Sequence, residues 1–311
     1  MQAARHSLPG ARWHFQHGPI DLVIGAGGDP RVVADCHEQA WQRFGSVLPE
    51  LVAELPALRE PVDPYAPFEP RLRGPVARRM WQACHPHRRT FVTPMAAVAG
   101  AVSDDMVRCY ARPGITRAWI NNGGDIALHL SPGASVNVGL VSEPARADAG
   151  QRLATDGRFV VPHELPVRGV ATSGWRGRSF SLGIADSVTV LARTAAEADV
   201  AATLIGNAVD VDDPRIVRRP ACELKDDSDL GVLLVTVAVP VLAASTVHRA
   251  LAAGRTAAQQ MCRQGLAHSA VLVCQGQVVT VGAEGVRWAE VARLPHARAS
   301  AEAERTGSVI A

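Results

Sequence analysis

The sequence predicts an α+β protein in which one or two sheets are covered by helices. Three observations carry that expectation. The 311 residues are 47% hydrophobic and 20% charged, with a mean hydropathy of +0.05, which supplies a large core and excludes a mainly disordered chain. Short apolar runs of strand length recur between Gly, Asn and Ser turns. Helical stretches with apolar residues three and four apart are interspersed among them, so neither element type is segregated. The expected organisation is one large domain over 1–311, with two lobes at about 1–210 and 211–292 and a loose tail over 293–311.

Taken in order, Ile20–Ile24 reads as a strand and Gly25–Gly28 as a turn. Asp29-Pro30 opens a helix, with Asp as N-cap and Pro in the first turn. Its apolar stripe runs through Val33, Cys36, Ala40, Phe44, Val47 and Leu51. The prolines of 56–75 predict an extended connector. A short helix is expected at Val76–Ala83, and Thr93-Pro94 starts a second one built largely of Ala and Gly. Strands follow at Ala118–Asn121, Ile126–Leu130, Val136–Val141 and Ser187–Leu191. Thr194 to Val209 is a helix opened by the capping box Thr194-Ala195-Ala196-Glu197. The last third gives a strand at Val232–Val239, a helix at Ser245–Gln264, and strands at Ala270–Cys274 and Val278–Val281.

Charge and composition exclude several classes. A net charge of +2 and sparse aromatics, 5%, argue against a nucleic-acid surface. No apolar run reaches the roughly 20 residues that span a bilayer, since Pro240 interrupts the longest, Leu230–Ala244. Cys36, Cys84, Cys109, Cys222, Cys262 and Cys274 show neither CxxC pairs nor zinc spacing, so reduced thiols and a cytoplasmic location are expected. Lys225 is the only lysine in the chain.

Four segments gather polar groups in small-residue surroundings: Thr93–Asp104, Asn121–Leu128, Ala171–Trp175 and Ala198–Thr203. By itself Asn121-Asn122-Gly123-Gly124-Asp125 reads first as a hairpin loop. Thr172-Ser173-Gly174 is as readily an ordinary Ser/Thr turn. Asp199 and Thr203 lie four apart on one helix face, and a carboxylate with a hydroxyl suits magnesium. An Asp favoured by the positive end of its helix is the equal alternative. Cys84-His85-Pro86-His87 matches no metal spacing and reads as a solvated helix exit. Asp226, Asp227 and Asp229 read as a solvated acidic turn.

These four segments, in this order, resemble ApbE-type FAD:protein FMN transferases over about 90–210. His17–Leu22, Arg78–Met80, Ser179–Val190 and Asp227–Gly231 extend the resemblance to a divergent branch of that superfamily. The resemblance implies an ApbE-like, T-fold-related fold of antiparallel sheets backed by helices. It implies a magnesium-dependent enzyme acting on FAD, with Mg2+ held by Asp199, Thr203 and the carbonyl of Val98. It places Thr93, Asn121, Asn122, Gly123, Gly124, Thr172, Ser173 and Gly174 around the flavin or its phosphates, with Asp125 and Asp104 as candidate general bases. The implied partners are a nucleotide-like small molecule and an acceptor flavoprotein, with a homodimer as a further association. One departure stands out: Ala99 occupies the position of the transferases' lysine. The alternatives are a pterin or one-carbon cofactor enzyme on the same fold, and a flavin- or nucleotide-binding protein without catalysis.

Overall fold

The computed structural model describes residues 2–65, 70–140, 157–282, 287–289 and 308–310. Its N-terminal part is a meander, β1 (Ala4–Leu8), β2 (Arg12–His17) and β3 (Ile20–Gly28), each strand antiparallel to the next. The first two were not expected from the sequence, because both are rich in polar residues. Nor do Gly25–Gly28 turn the chain; they continue β3 against β4 (Ile115–Asn122). The reason is steric: Gly25 faces Trp119 across the ladder, and a Cβ there would lie 2.0 Å from the indole. The glycine is a seat for an aromatic ring.

Asp29 caps α1 (Pro30–Arg59), accepting from the backbone N–H groups of Arg31 and Val32. The helix runs on through Pro49 and Pro56, so the predicted connector loses its first residues to α1. After it come α2 (Pro75–Cys84) and a short 3-10 stretch at Pro94–Ala97 that leads into α3 (Val98–Val107). Next, β4 and β5 (Asp125–Leu130) form a hairpin, with Asn122 paired to Asp125 across Gly123-Gly124. The chain continues through β6 (Ser135–Leu140), β7 (Gly157–Pro162), β8 (Gly169–Ser173) and β9 (Ser187–Ala192). Thr172-Ser173 is thus the end of a strand and not a turn.

Thr194 caps α4 (Ala195–Ala208) by accepting from the Glu197 N–H, while the Glu197 side chain turns to Arg193 instead of completing the box. A two-stranded ribbon follows, β10 (Val217–Pro220) with β11 (Leu234–Ala238), enclosing the one-turn α5 (Ala221–Leu224). Then come α6 (Ala244–Arg263), β12 (Ser269–Cys274) and β13 (Gln277–Val281). Two short strands, β14 (Arg287–Ala289) and β15 (Ser308–Ile310), flank β7 and β6. The remainder of the expected loose tail lies outside the described residues.

The main sheet has nine strands in the order β1-β2-β3-β4-β5-β8-β9-β12-β13, antiparallel throughout. A boundary at 210 would pass through this sheet, because β12 and β13 extend it beyond β9. Three apolar clusters fill the fold. One packs α1, α2 and α3 on the first strands around Phe15, Phe44 and Met80. A second packs α4 and α6 on β9 and β12, and a third lies between β4, β5 and the small sheet around Phe159. Small residues let α3 and α4 touch: a Cβ on Gly100 would lie 2.3 Å from the Ala195 carbonyl oxygen. The fold is α+β, as the sequence predicts. Among the described residues no helix is long and apolar enough to cross a membrane.

Candidate functional site

That close approach of α3 and α4 is held by an exchange of aspartates. Asp104, on α3, accepts from the N–H groups of Ala195 and Ala196 at the start of α4, both at 2.9 Å. Asp199, on α4, accepts from Gly100 N–H at 3.0 Å and also from Ala99 N–H at the start of α3. Each helix thereby supplies the cap the other needs, and α3 has no side-chain cap of its own at Ala97. Burial pushes the Asp104 carboxyl up to about 6 against the pull of its two N–H donors. Burial likewise pushes Asp199 up to about 7, against its own N–H donors and with the charge of Asp104 adding to the rise.

The β4–β5 turn brings a third carboxylate to this junction. Gly123 and Gly124 have φ of +67° and +113°, the left-handed region that a two-residue hairpin turn needs. Asn121 Oδ1 accepts from Gly124 N–H at 2.8 Å and fixes the turn, while the buried Asn122 donates to the Ala99 carbonyl. Asp125 follows. Ser103 on α3 donates to its carbonyl oxygen at 2.8 Å, and the Thr172 N–H on β8 donates to its carboxylate. Its Oδ1 is buried with no hydrogen-bond partner. Burial and then the charge of Asp199 push Asp125 well above the usual carboxylate range, opposed by Thr172 and by the Arg178 guanidinium.

The other predicted residues gather less tightly. Thr172 Oγ1 shares a hydrogen bond with Thr189 Oγ1 at 2.8 Å, so that hydroxyl is engaged within the sheet. Ser173 is half-buried at the end of β8, and Gly174 packs against the Asp186 carbonyl, 2.3 Å from where a Cβ would sit. Thr203 is half-buried one helical turn beyond Asp199, and Val98 opens α3. Thr93 is buried and donates to Asp229 Oδ2, while Cys84 Sγ donates to the Thr93 carbonyl.

Several expectations change here. Asp104 has both oxygens occupied by backbone donors, the position of a cap and not of a free base. Asp229 leaves the solvated acidic turn to engage Thr93, whereas Asp227 pairs with Arg59 at 2.6 Å. His85 and His87 are not simply solvated: His85 stacks on Trp81 at 4.4 Å, and burial lowers His87 to about 4. The sequence reading passed over Arg178; the only sign of it was its place in the stretch that follows Gly174. Lys225 lies on an outer turn, 3.9 Å from Asp227.

Asp125 and Asp199 are neighbouring carboxylates, and one of them has a buried oxygen without a hydrogen-bond partner. Among the described residues no group of three or more His, Cys, Asp and Glu is arranged to hold a metal. Magnesium does not need one, because it is commonly held by one or two carboxylates and completes its shell with water and phosphate oxygens. The donor set therefore fits a cation shared with a phosphate-bearing ligand.

The fold is thus a helix-backed antiparallel sheet whose β4–β5 glycine hairpin and α3–α4 junction bring three aspartates together. The chain matches the family described as "AbpE bacteria" over residues 4–280 and belongs to it. It is 33% identical over 192 residues to a UPF0280 protein of Methanoregula boonei, covering 60% of this chain and 76% of that one. A UPF0280 protein of Methanosarcina acetivorans is 35% identical over 199 residues, 64% of this chain and 72% of the relative. With that of Methanothrix thermoacetophila, 37% identical, the match spans about half of the relative, 54%, and 44% of this chain. Among solved structures, the apo form of Pseudomonas stutzeri flavinyl transferase ApbE aligns with 90% of this chain and 93% of its own. The identity there is 13% and the TM-score 0.38.

Proposed function

We propose that this protein is a magnesium-dependent enzyme that binds FAD and transfers its FMN portion to an acceptor protein. One observation carries the reading: the charge of Asp199 bears on Asp125, whose buried Oδ1 has no hydrogen-bond partner. Asp199 and Thr203 would hold the cation, with the Val98 carbonyl beside them. Bound there, magnesium supplies charge neutralisation for a pyrophosphate and for the AMP that leaves it. The residues of the chain do the rest. Asp125 Oδ1, which has no partner of its own, would take the proton of the attacking hydroxyl. The Gly123-Gly124 turn lets a ligand approach the backbone closely, and Asn122 ties that turn to the start of α3.

Ala99 favours a second reading, a flavin-binding protein without transfer. It puts a methyl group where the resembling transferases carry a lysine, and its own N–H is spent on Asp199. Incubation with FAD, magnesium and candidate flavoprotein acceptors, followed by chromatography for AMP, separates the two. AMP release in step with acceptor flavinylation supports transfer. Tight FAD binding without AMP supports the binding protein. Absence of both removes the flavin reading and leaves the pterin-like alternative.

A further inference from the structure

We infer that Arg178 is the phosphate-binding residue of this site, its guanidinium seated on the bare face of Gly123 to receive the pyrophosphate of the ligand. The geometry is close: a Cβ on Gly123 would lie 1.7 Å from Arg178 Nη2 and 2.9 Å from its Cζ, so a side chain there would displace the guanidinium. That seat is on the hairpin whose next strand opens with Asp125, and Arg178 acts on the charge of that carboxylate. Arg178 is exposed, so a ligand arriving from solvent can reach it.

Arg178 is delivered by a loop with a fixed base. Trp175 N–H donates to the Ala185 carbonyl at 3.1 Å and Gly177 N–H to the Gly174 carbonyl at 3.0 Å. Its neighbour Arg176 is already engaged, 3.4 Å from Asp186 and 5.0 Å over the Trp175 ring. Among the described residues Arg178 is engaged only by the charge of Asp125.

The electrostatics require such a group. Three aspartates converge here, and a phosphate diffusing in meets repulsion unless cations offset it. A guanidinium fork is suited to that task, since it matches phosphate oxygens in bidentate fashion. The chain's only lysine is elsewhere.

The inference rests on the proposed function for the identity of the ligand, flavin dinucleotide, but not for its phosphates. Titration calorimetry with FAD, ADP, inorganic pyrophosphate and riboflavin, each with magnesium, tests it on wild type, Arg178→Ala and Arg178→Lys. Arg178→Ala is expected to weaken FAD, ADP and pyrophosphate at least tenfold, to leave riboflavin affinity and the melting temperature unchanged, and to be partly rescued by lysine. Wild-type affinity of Arg178→Ala for all three phosphate ligands overturns the inference and leaves the flavin reading standing. Arg178-dependent binding of ADP and pyrophosphate without any binding of FAD does the reverse. Failure of wild type to bind any phosphate ligand overturns both.

Discussion

Asp104 and Asp199 look interchangeable as residues, each a carboxylate capping a neighbouring helix, and the surrounding charges separate them. Asp104 spends both oxygens on Ala195 and Ala196, so Asp104→Ala strips the start of α4 of its donors' partners. That change is expected to cost about 1–2 kcal/mol, the range of a lost cap. Urea unfolding reads the loss, and magnesium-coupled FAD binding in the folded variant should persist. Under the proposed function Asp199 adds a metal-holding role to its cap. Asp199→Asn keeps an acceptor for Gly100 while removing the charge, so stability at pH 7.5 should hold or rise. The same variant should lose the strengthening of FAD binding by magnesium, measured as the ratio of affinities with and without the ion. A retained ratio would return Asp199 to a purely structural role.

At the scale of elements, the decisive contact is α3 against α4. Gly100 leaves no room between its own backbone and the Ala195 carbonyl, 2.3 Å from a built Cβ, and neither backbone can give without parting the helices. Gly100→Ala is therefore expected to destabilise by about 1–3 kcal/mol, the usual cost of overpacking. Because the reciprocal caps span the same contact, nucleotide affinity should fall together with stability. Denaturant titration and FAD calorimetry on one preparation check the linkage; loss of affinity at unchanged stability would contradict it. The β4–β5 hairpin should respond differently. Its two glycines sit at an exposed tip, and the positive φ at Gly124 makes Gly124→Ala a strain on a turn that presents Asp125.

For the whole molecule, the displaced ionisations set the pH dependence. Asp104, Asp125 and Asp199 keep protons in the folded state at a pH where the unfolded chain has lost them, so their contribution falls as pH rises through about 6 and about 7. His37, His87 and His129 are lowered by burial and work oppositely: their contribution is present above the ordinary histidine range and lost on acidification, for His87 down to about 4. The two sets oppose each other below roughly pH 6.5, the ordinary histidine value. Above it only the aspartates still change. Melting temperature should therefore decline from pH 6.5 to 8, and magnesium with ADP should recover most of the decline. Asp199→Asn should flatten the curve, and an undiminished slope in that variant would place the titrating group elsewhere.

Much of this was legible in the chain itself. Caps marked α1 and α4, and an apolar stripe marked α1, because those signals act between residues a few positions apart. Asn121-Asn122-Gly123-Gly124 announced its hairpin for the same reason, and the aspartates and threonines of the candidate site stood in recognisable segments. What the sequence by itself determined was an α+β chain with its polar residues in small-residue surroundings. Tertiary structure alone decided that Gly25–Gly28 is strand, since the space they leave is used by Trp119 from a distant strand. It alone turned Asp104 from a candidate base into the cap of a helix 91 residues away, and brought Arg178 onto Gly123. Local propensity and period are properties of neighbours along the chain. Burial, charge and shared hydrogen bonds belong to neighbours in space, which only the order of the nine strands assembles.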